Sequence, residues 1–407
     1  MSLSNNFPAV RSTLNLDFAN VGALDPRITF TRASIATFTG SNGLIQTAAA
    51  GVPRFDYDPV TRAAKGFLVE EQRTNLLINS GDLSSVATTG TVIRTPNQLT
   101  APDGTLTGSI FTGNNVPAIA TQSATATAST MTFSCYVKVG VQSSRSTYQF
   151  LMRNSTTALN FTTGTFSVLD GSITGSGWSS TYVGNAWYRL TYTNSVSQII
   201  NVGDLLTCYF GAIGGITYTT ADSWGVWGGQ LEAGAFATSY IPTVATQVTR
   251  SEDFARMTNV SPWYNAAQGT LFYEMTFDAS YNYPVTPTFY QAASANGNII
   301  GVYSNIATQF VGLIRSGAVN QASMGVTATV LGGHKVAIAY SAGSAAAVVD
   351  NLAVVTGTPA TLPTIDTLGI AGLQSGYTQV GNAVGHIRRI TYYPIRVSNA
   401  QLQALTS

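Results

Sequence analysis

Alternation of apolar and polar residues with a period of two is the feature that most constrains this chain. In Thr132-Phe133-Ser134-Cys135-Tyr136-Val137-Lys138 the side chains of Phe133, Cys135 and Val137 fall on one face and mostly polar ones on the other. Ala186-Trp187-Tyr188-Arg189-Leu190-Thr191-Tyr192-Thr193 repeats the pattern, as does Gly269-Thr270-Leu271-Phe272-Tyr273-Glu274-Met275-Thr276-Phe277. Clusters of Gly, Ser and Asn separate such runs at strand-length intervals, as at Gly171 to Gly177. Many short antiparallel strands, each burying one face, predict sandwiches or jelly rolls. Long runs of Glu, Lys, Leu and Arg, the good helix formers, are missing. One short helix is predicted at the end, where Ser398 is a natural N-cap and Leu402 and Leu405 share a face.

A chain of 407 residues is too long for one ordinary core. Three regions separate by texture. Residues 1–80 are short extended pieces thin in large apolar residues, expected to dock on something rather than fold alone. Residues 81–255 and 256–407 each read as one β-sandwich. The expected fold class is therefore all-β, a short extended N-terminal segment followed by two jelly-roll or β-sandwich domains.

Only 9% of residues are charged although 44% are hydrophobic, against about 25% charged in an average soluble protein. The surface is therefore mostly Thr, Ser, Asn, Gln and Gly, which suits chains packed side by side in an assembly. A net charge of +1 gives no footprint for nucleic acid. The start has no secretory pattern, and no apolar run approaches the ~20 residues of a membrane span. The expectation is synthesis in a cytoplasm without membrane insertion. Cys135 and Cys208 can pair if their strands adjoin, but as small buried apolar side chains they need no partner.

The little charge there is falls in clusters. Arg32, Arg54, Arg73 and Arg250 are matched by Asp56, Asp58, Glu70, Glu71, Glu232, Glu252 and Asp253. Arg–carboxylate forks among them would fix the N-terminal segment against the middle domain near residues 230–255, at the seam between the sandwiches. That arrangement would leave the final sandwich free to face outward.

The blocks holding these residues resemble a known family. Thr31-Arg32-Ala33-Ser34, Pro53-Arg54-Phe55-Asp56-Tyr57-Asp58-Pro59 and Gly66-Phe67-Leu68-Val69-Glu70-Glu71-Gln72-Arg73-Thr74-Asn75-Leu76 are similar to a module of tailed-phage structural proteins. So are Trp224 to Glu232, Ala237 to Thr243 and Val248 to Asp253. That family comprises tail fibres and head-fibre or spike proteins. The middle region further resembles carbohydrate-binding-module jelly rolls, and the last a concanavalin A-like or laminin-G-like sandwich. The resemblance implies a virion-surface protein made in the host bacterium and assembled as a homotrimer. It implies contact with other virion proteins through the N-terminal segment, and contact with host surface polysaccharide.

Catalytic constellations are not evident. Two histidines, His334 and His386, cannot build a multi-histidine zinc site, and the cysteines lack zinc spacing. Each histidine reads as a surface or half-buried strand residue. Glu70 and Glu71 are adjacent and so face opposite sides of a strand. Glu274 and Asp278 lack a second acid at the alternate positions, as the carboxylate pair of a glycosidase would require. Asp278 and Asn282 supply too few oxygens for calcium. The expectation is no enzyme, no cofactor and no metal. For sugar binding, the candidates are Trp263, Tyr281 and Tyr283, whose flat rings lie in loop-like sequence. Trp187, Trp224 and Trp227 sit in strand patterns and read as packing. Two alternatives stay open: a tail receptor-binding adhesin and a capsule-degrading enzyme.

Overall fold

The computed structural model describes residues 10–89, 92–117, 119–213, 215–278, 285–293, 297–371 and 384–407. The fold is all-β, built as two antiparallel sandwiches. The middle one faces a six-stranded sheet against a seven-stranded sheet. The first runs in the order Trp178–Tyr182, Trp187–Thr193, Met131–Lys138, Ser223–Ala233, Leu106–Thr112, Ile93–Thr100. The second contains Thr147–Asn154 at its middle, hydrogen-bonded to Leu205–Tyr209. Phe133, Cys135 and Val137 point into the core between the sheets, as the alternation requires, beside Phe150, Leu190 and Tyr192. Trp187, Trp224 and Trp227 are buried, with indole N–H donors to Thr100 O, Phe210 O and Thr107 Oγ1. Cys135 and Cys208 lie in this same core as free thiols.

The last sandwich does not begin at residue 256. Its eight-stranded sheet has Gln268–Phe277 paired with Gly332–Ser341 on one side and Gly385–Tyr393 on the other. Beyond Gly385–Tyr393 come Ala64–Val69 and Arg54–Tyr57, and Leu14–Asp17 also pairs with Gly385–Tyr393. The opposing seven-stranded sheet opens with Ile28–Thr31 on Phe254–Thr258. Leu14, Leu16, Phe18, Phe67 and Val69 all enter the core of this sandwich. The expected docking segment is thus woven into the final sandwich, which is not left free of it. Short strands with few apolar residues each cannot bury those residues alone. They are stabilised as additions to a larger sheet.

One N-terminal piece reaches the other way. The hairpin Ala36–Thr39 with Ile45–Ala48 lies on the outer face of the six-stranded sheet. Ile45 packs there with Tyr136, Trp187, Trp227 and Tyr240, and Ile45 N donates to Pro102 O at 2.9 Å. The short sheet of Arg73–Asn75 with Val248–Arg250 closes the same junction. The C-terminal helix spans Asn399–Leu405 and starts with a full capping box, Ser398 with Gln401.

A buried charge network at the seam

Three arginines converge on the junction between the sandwiches. Arg54 is carried by its sheet strand to 0% exposure, and Arg250 by the short strand Val248–Arg250 to 1%. Arg54 Nη1 donates to Glu70 Oε2 at 2.6 Å and to Thr37 O at 2.9 Å, while Nη2 pairs with Asp253. Arg32 Nη1 donates to the other Asp253 oxygen at 3.1 Å, and its remaining nitrogens hold the carbonyls of Ser34, Ala49 and Val52. Arg250 Nη1 lies 3.1 Å from Glu70 Oε2 and donates to Thr238 Oγ1 at 3.0 Å. The backbone holds the acids as firmly. Glu70 N donates to Asp253 Oδ2 at 2.9 Å, and Asp253 N donates to Glu70 O at 2.9 Å.

The segment Ala237 to Ile241 straps across this cluster. Ser239 donates to Glu70 from both its N–H and its hydroxyl, each at 2.7 Å. Thr238 donates from N–H and hydroxyl to Glu232, at 2.9 and 2.7 Å. Gln230 donates to Glu232 at 2.7 Å and accepts from Ile241 N at 2.7 Å. Arg32, Arg54 and Arg250 therefore balance Glu70, Asp253 and Glu232, the last joined to Arg250 through the Thr238 hydroxyl. Burial raises the cost of an ionised Glu70. Arg250, Arg54 and the Ser239 bonds outweigh it and hold the carboxyl well below the usual carboxylate range.

Other expected members sit elsewhere. Arg73 pairs with its neighbour Glu71 and lies over the Phe236 ring at 4.8 Å, outside the central cluster. Asp58 caps its own turn, accepting from Val60 N and Thr61 N. Among the described residues Asp56 pairs with no arginine. It accepts from Thr39 N at 2.6 Å and faces His386 Nε2 at 2.8 Å, with Lys65 Nζ at 3.5 Å. His386 Nδ1 lies 3.2 Å from Asp278, near enough for charge attraction but without hydrogen-bond alignment. His386 is buried, not a surface residue. Burial disfavours the charged ring, yet Asp278 and Asp56 outweigh that and raise its pKa. His334, also buried, pairs with Asp350 through Nδ1 at 2.5 Å.

The sugar-stacking role expected for Trp263 fails. Its ring is 8% exposed and packs on Phe289 and Tyr392, with centroids 5.9 and 5.5 Å away, so neither face is open. Tyr281, Asn282 and Tyr283 lie outside the described residues. Sequence reasoning missed Ser239, Thr238 and Gln230 as the groups that satisfy the buried acids. The visible signal was Gln230 and Glu232 two apart on one strand, which puts both on one face. It also missed His386 with Asp56, whose residues are far apart in the chain.

No protein-family model matches the chain, and no curated protein matches it significantly. Among solved structures it is similar to the CBM40 module of a Ruminococcus gnavus IT-sialidase, solved with α2,3-sialyllactose. That match has 15% identity over 35% of this chain and 84% of that one, at a TM-score of 0.31. It is similar to domains LG4–5 of the mouse laminin α1 chain, at 9% identity over 82% and 91%, with a TM-score of 0.26. It is similar to the NanB sialidase of Streptococcus pneumoniae at 10% identity over 37% of this chain, with a TM-score of 0.32. The match spans only 26% of the length of that sialidase.

Proposed function

We propose that this chain is a non-enzymatic structural protein of a tailed-phage particle, displayed on the virion surface as a fibre, spike or decoration and assembled as a homotrimer. One observation carries the reading. The charged residues of the blocks that resemble the phage module, Arg32, Arg54, Glu70, Arg250 and Asp253, meet in one buried cluster although up to 221 residues separate them. Their charges are spent on one another and on backbone groups, so the blocks serve as a staple rather than as chemistry. A surface of Thr, Ser, Asn and Gly with few charges suits close neighbours in a particle.

The test is composition of the particle. Phage purified by density from a lysate whose genome encodes this chain should contain its tryptic peptides at structural-protein abundance, and antibody against the chain should decorate intact particles. Peptides confined to the soluble lysate would overturn the proposal. Light scattering of the purified chain should give three times the mass of one chain, and a monomer would remove the trimer.

A further inference from the structure

The outer face of the six-stranded sheet is only partly covered. Ser134 lies opposite Thr191, and Thr191 opposite Ser179. One step along the same face, Tyr136 lies opposite Arg189, and Arg189 opposite Thr181. Residues alternate across a sheet, so these six share the face turned away from Phe133, Cys135, Leu190 and Tyr192 in the core. The hairpin residues Thr37 to Thr39 and the strap Ala237 to Tyr240 rise beside them. Together they bound a cleft of about 480 Å³ at the junction of the sandwiches, a size within the ordinary range for small-ligand sites.

Arg189 is unlike the other half-buried or buried arginines at this junction. Its guanidinium lies over the Tyr136 ring at 5.4 Å, and Nη2 donates to Ser134 Oγ at 3.0 Å. Among the described residues Arg189 forms no ion pair, whereas Arg32, Arg54, Arg73 and Arg250 each do; its Nε is buried without a partner, as are those of Arg54 and Arg250. The acids lining the cleft are already engaged: Glu70 by Arg54 and Arg250, Asp56 by His386 and Lys65, and Asp278 by His386. Among the described residues, Arg189 therefore lies on the floor of the cleft without a carboxylate partner, beside Lys65 and His386, which share Asp56. Around it stand the hydroxyls of Ser179, Thr181 and Thr191, which make no hydrogen bond among the described residues. Phe38 contributes an apolar wall. A guanidinium with unused donors beside hydroxyls and an aromatic wall matches a carboxylate on a polyhydroxylated ring.

We propose that this cleft binds a carboxylate-bearing sugar, such as a uronic acid residue of a surface polysaccharide, with Arg189 holding the carboxylate. Ser179, Thr181 and Thr191 hold ring hydroxyls. The proposal stands apart from virion membership, since a chain absent from particles can still bind and a virion protein can fail to.

The test uses the full chain and calorimetric titration with oligogalacturonate and its carboxyl-reduced counterpart, beside an array carrying other acidic sugars. The expected result is saturable binding to an acidic glycan, weakened by added salt and about tenfold or more weaker for the reduced sugar. Arg189→Gln should lose binding and Arg189→Lys should retain part of it, both with unchanged thermal unfolding. Thr191→Val, which leaves the guanidinium in place, should weaken binding by a smaller factor. No binding to any acidic glycan, equal binding of the reduced sugar, or full binding by Arg189→Gln would each overturn the site. If Arg189→Gln unfolds, Ser179→Ala with Thr191→Val decides, and unchanged binding there overturns it.

Discussion

Glu70 shows what the seam asks of single residues. It sits at 3% exposure, accepts from Arg54 and Ser239, pairs with Arg250, and is ionised because those partners surround it. Replacing it with Gln leaves Arg54 and Arg250 to share what Asp253 provides. A buried ion network is poor evidence of net stability, but removing one member strands a charge at a cost of about 3–5 kcal/mol. Glu70→Gln should lose that much in urea unfolding, and a loss below about 1 kcal/mol would show the charges to be solvated. Because the native pKa of Glu70 is depressed, its contribution is full above the unfolded value of about 4.3 and is lost as pH falls through that range toward the native value. His386 has the opposite sign. Its raised pKa gives stability that is full below about 6.5 and is lost as pH rises through the native value. Thermal unfolding of the wild type should therefore weaken on the alkaline side, and His386→Gln should flatten that limb. An unchanged limb would exclude the histidine as its source.

At the level of elements, the close approach of Gly385 to the neighbouring strand fixes the start of the strand that carries His386. Gly385 has φ of 148°, and a Cβ there would come within 1.9 Å of Thr276 O in the neighbouring strand. Both the backbone conformation and the close approach require glycine. The closing helix is a plainer case. Ser398 and Gln401 cap it reciprocally, and Leu402 packs with Val397 and Phe272 on the outside of the sheet. Ser398→Ala should cost about 1 kcal/mol in chemical denaturation, while Gln403→Ala, which removes a single solvent-exposed donation to Leu352 O, should cost less. These elements also show what the sequence discloses. Strands such as Met131–Lys138 and Gln268–Phe277 declared themselves by alternation, and the helix by its cap and its apolar pair. Arg54–Tyr57 and Ala64–Val69 read only as extended, because what makes them strands is Gly385–Tyr393, more than three hundred residues later (Ile387 opposite Phe67). The charged seam was legible for a related reason. In a chain so poor in charge, clustered Arg, Asp and Glu stand out, whereas the Ser239 and Thr238 hydroxyls that complete the network are lost among many similar residues. A loop-like setting likewise misled for Trp263, whose turn folds back onto the core.

On the scale of the whole molecule, residues 14–69 belong to the last sandwich as much as any of its later strands do. They complete both of its sheets and send a hairpin onto the middle sandwich, whose core takes Leu76 and Leu77. A chain lacking residues 1–69 should lose Leu14, Leu16, Phe18, Phe67 and Val69 from one core together with Arg32 and Arg54 from the seam. It should aggregate or unfold with a broadened transition, as exposed sheet edges do. A soluble truncation with the wild-type unfolding temperature would show the segment to be an accessory. Residues remote in sequence meet through buried charge at the seam. A double-mutant cycle of Arg54→Met with Asp253→Leu, followed by urea unfolding at neutral pH, measures that coupling. The partners lie 199 positions apart and meet at 0% side-chain exposure. The expected coupling is about 1–3 kcal/mol, and losses that simply add would contradict a charge link across the seam.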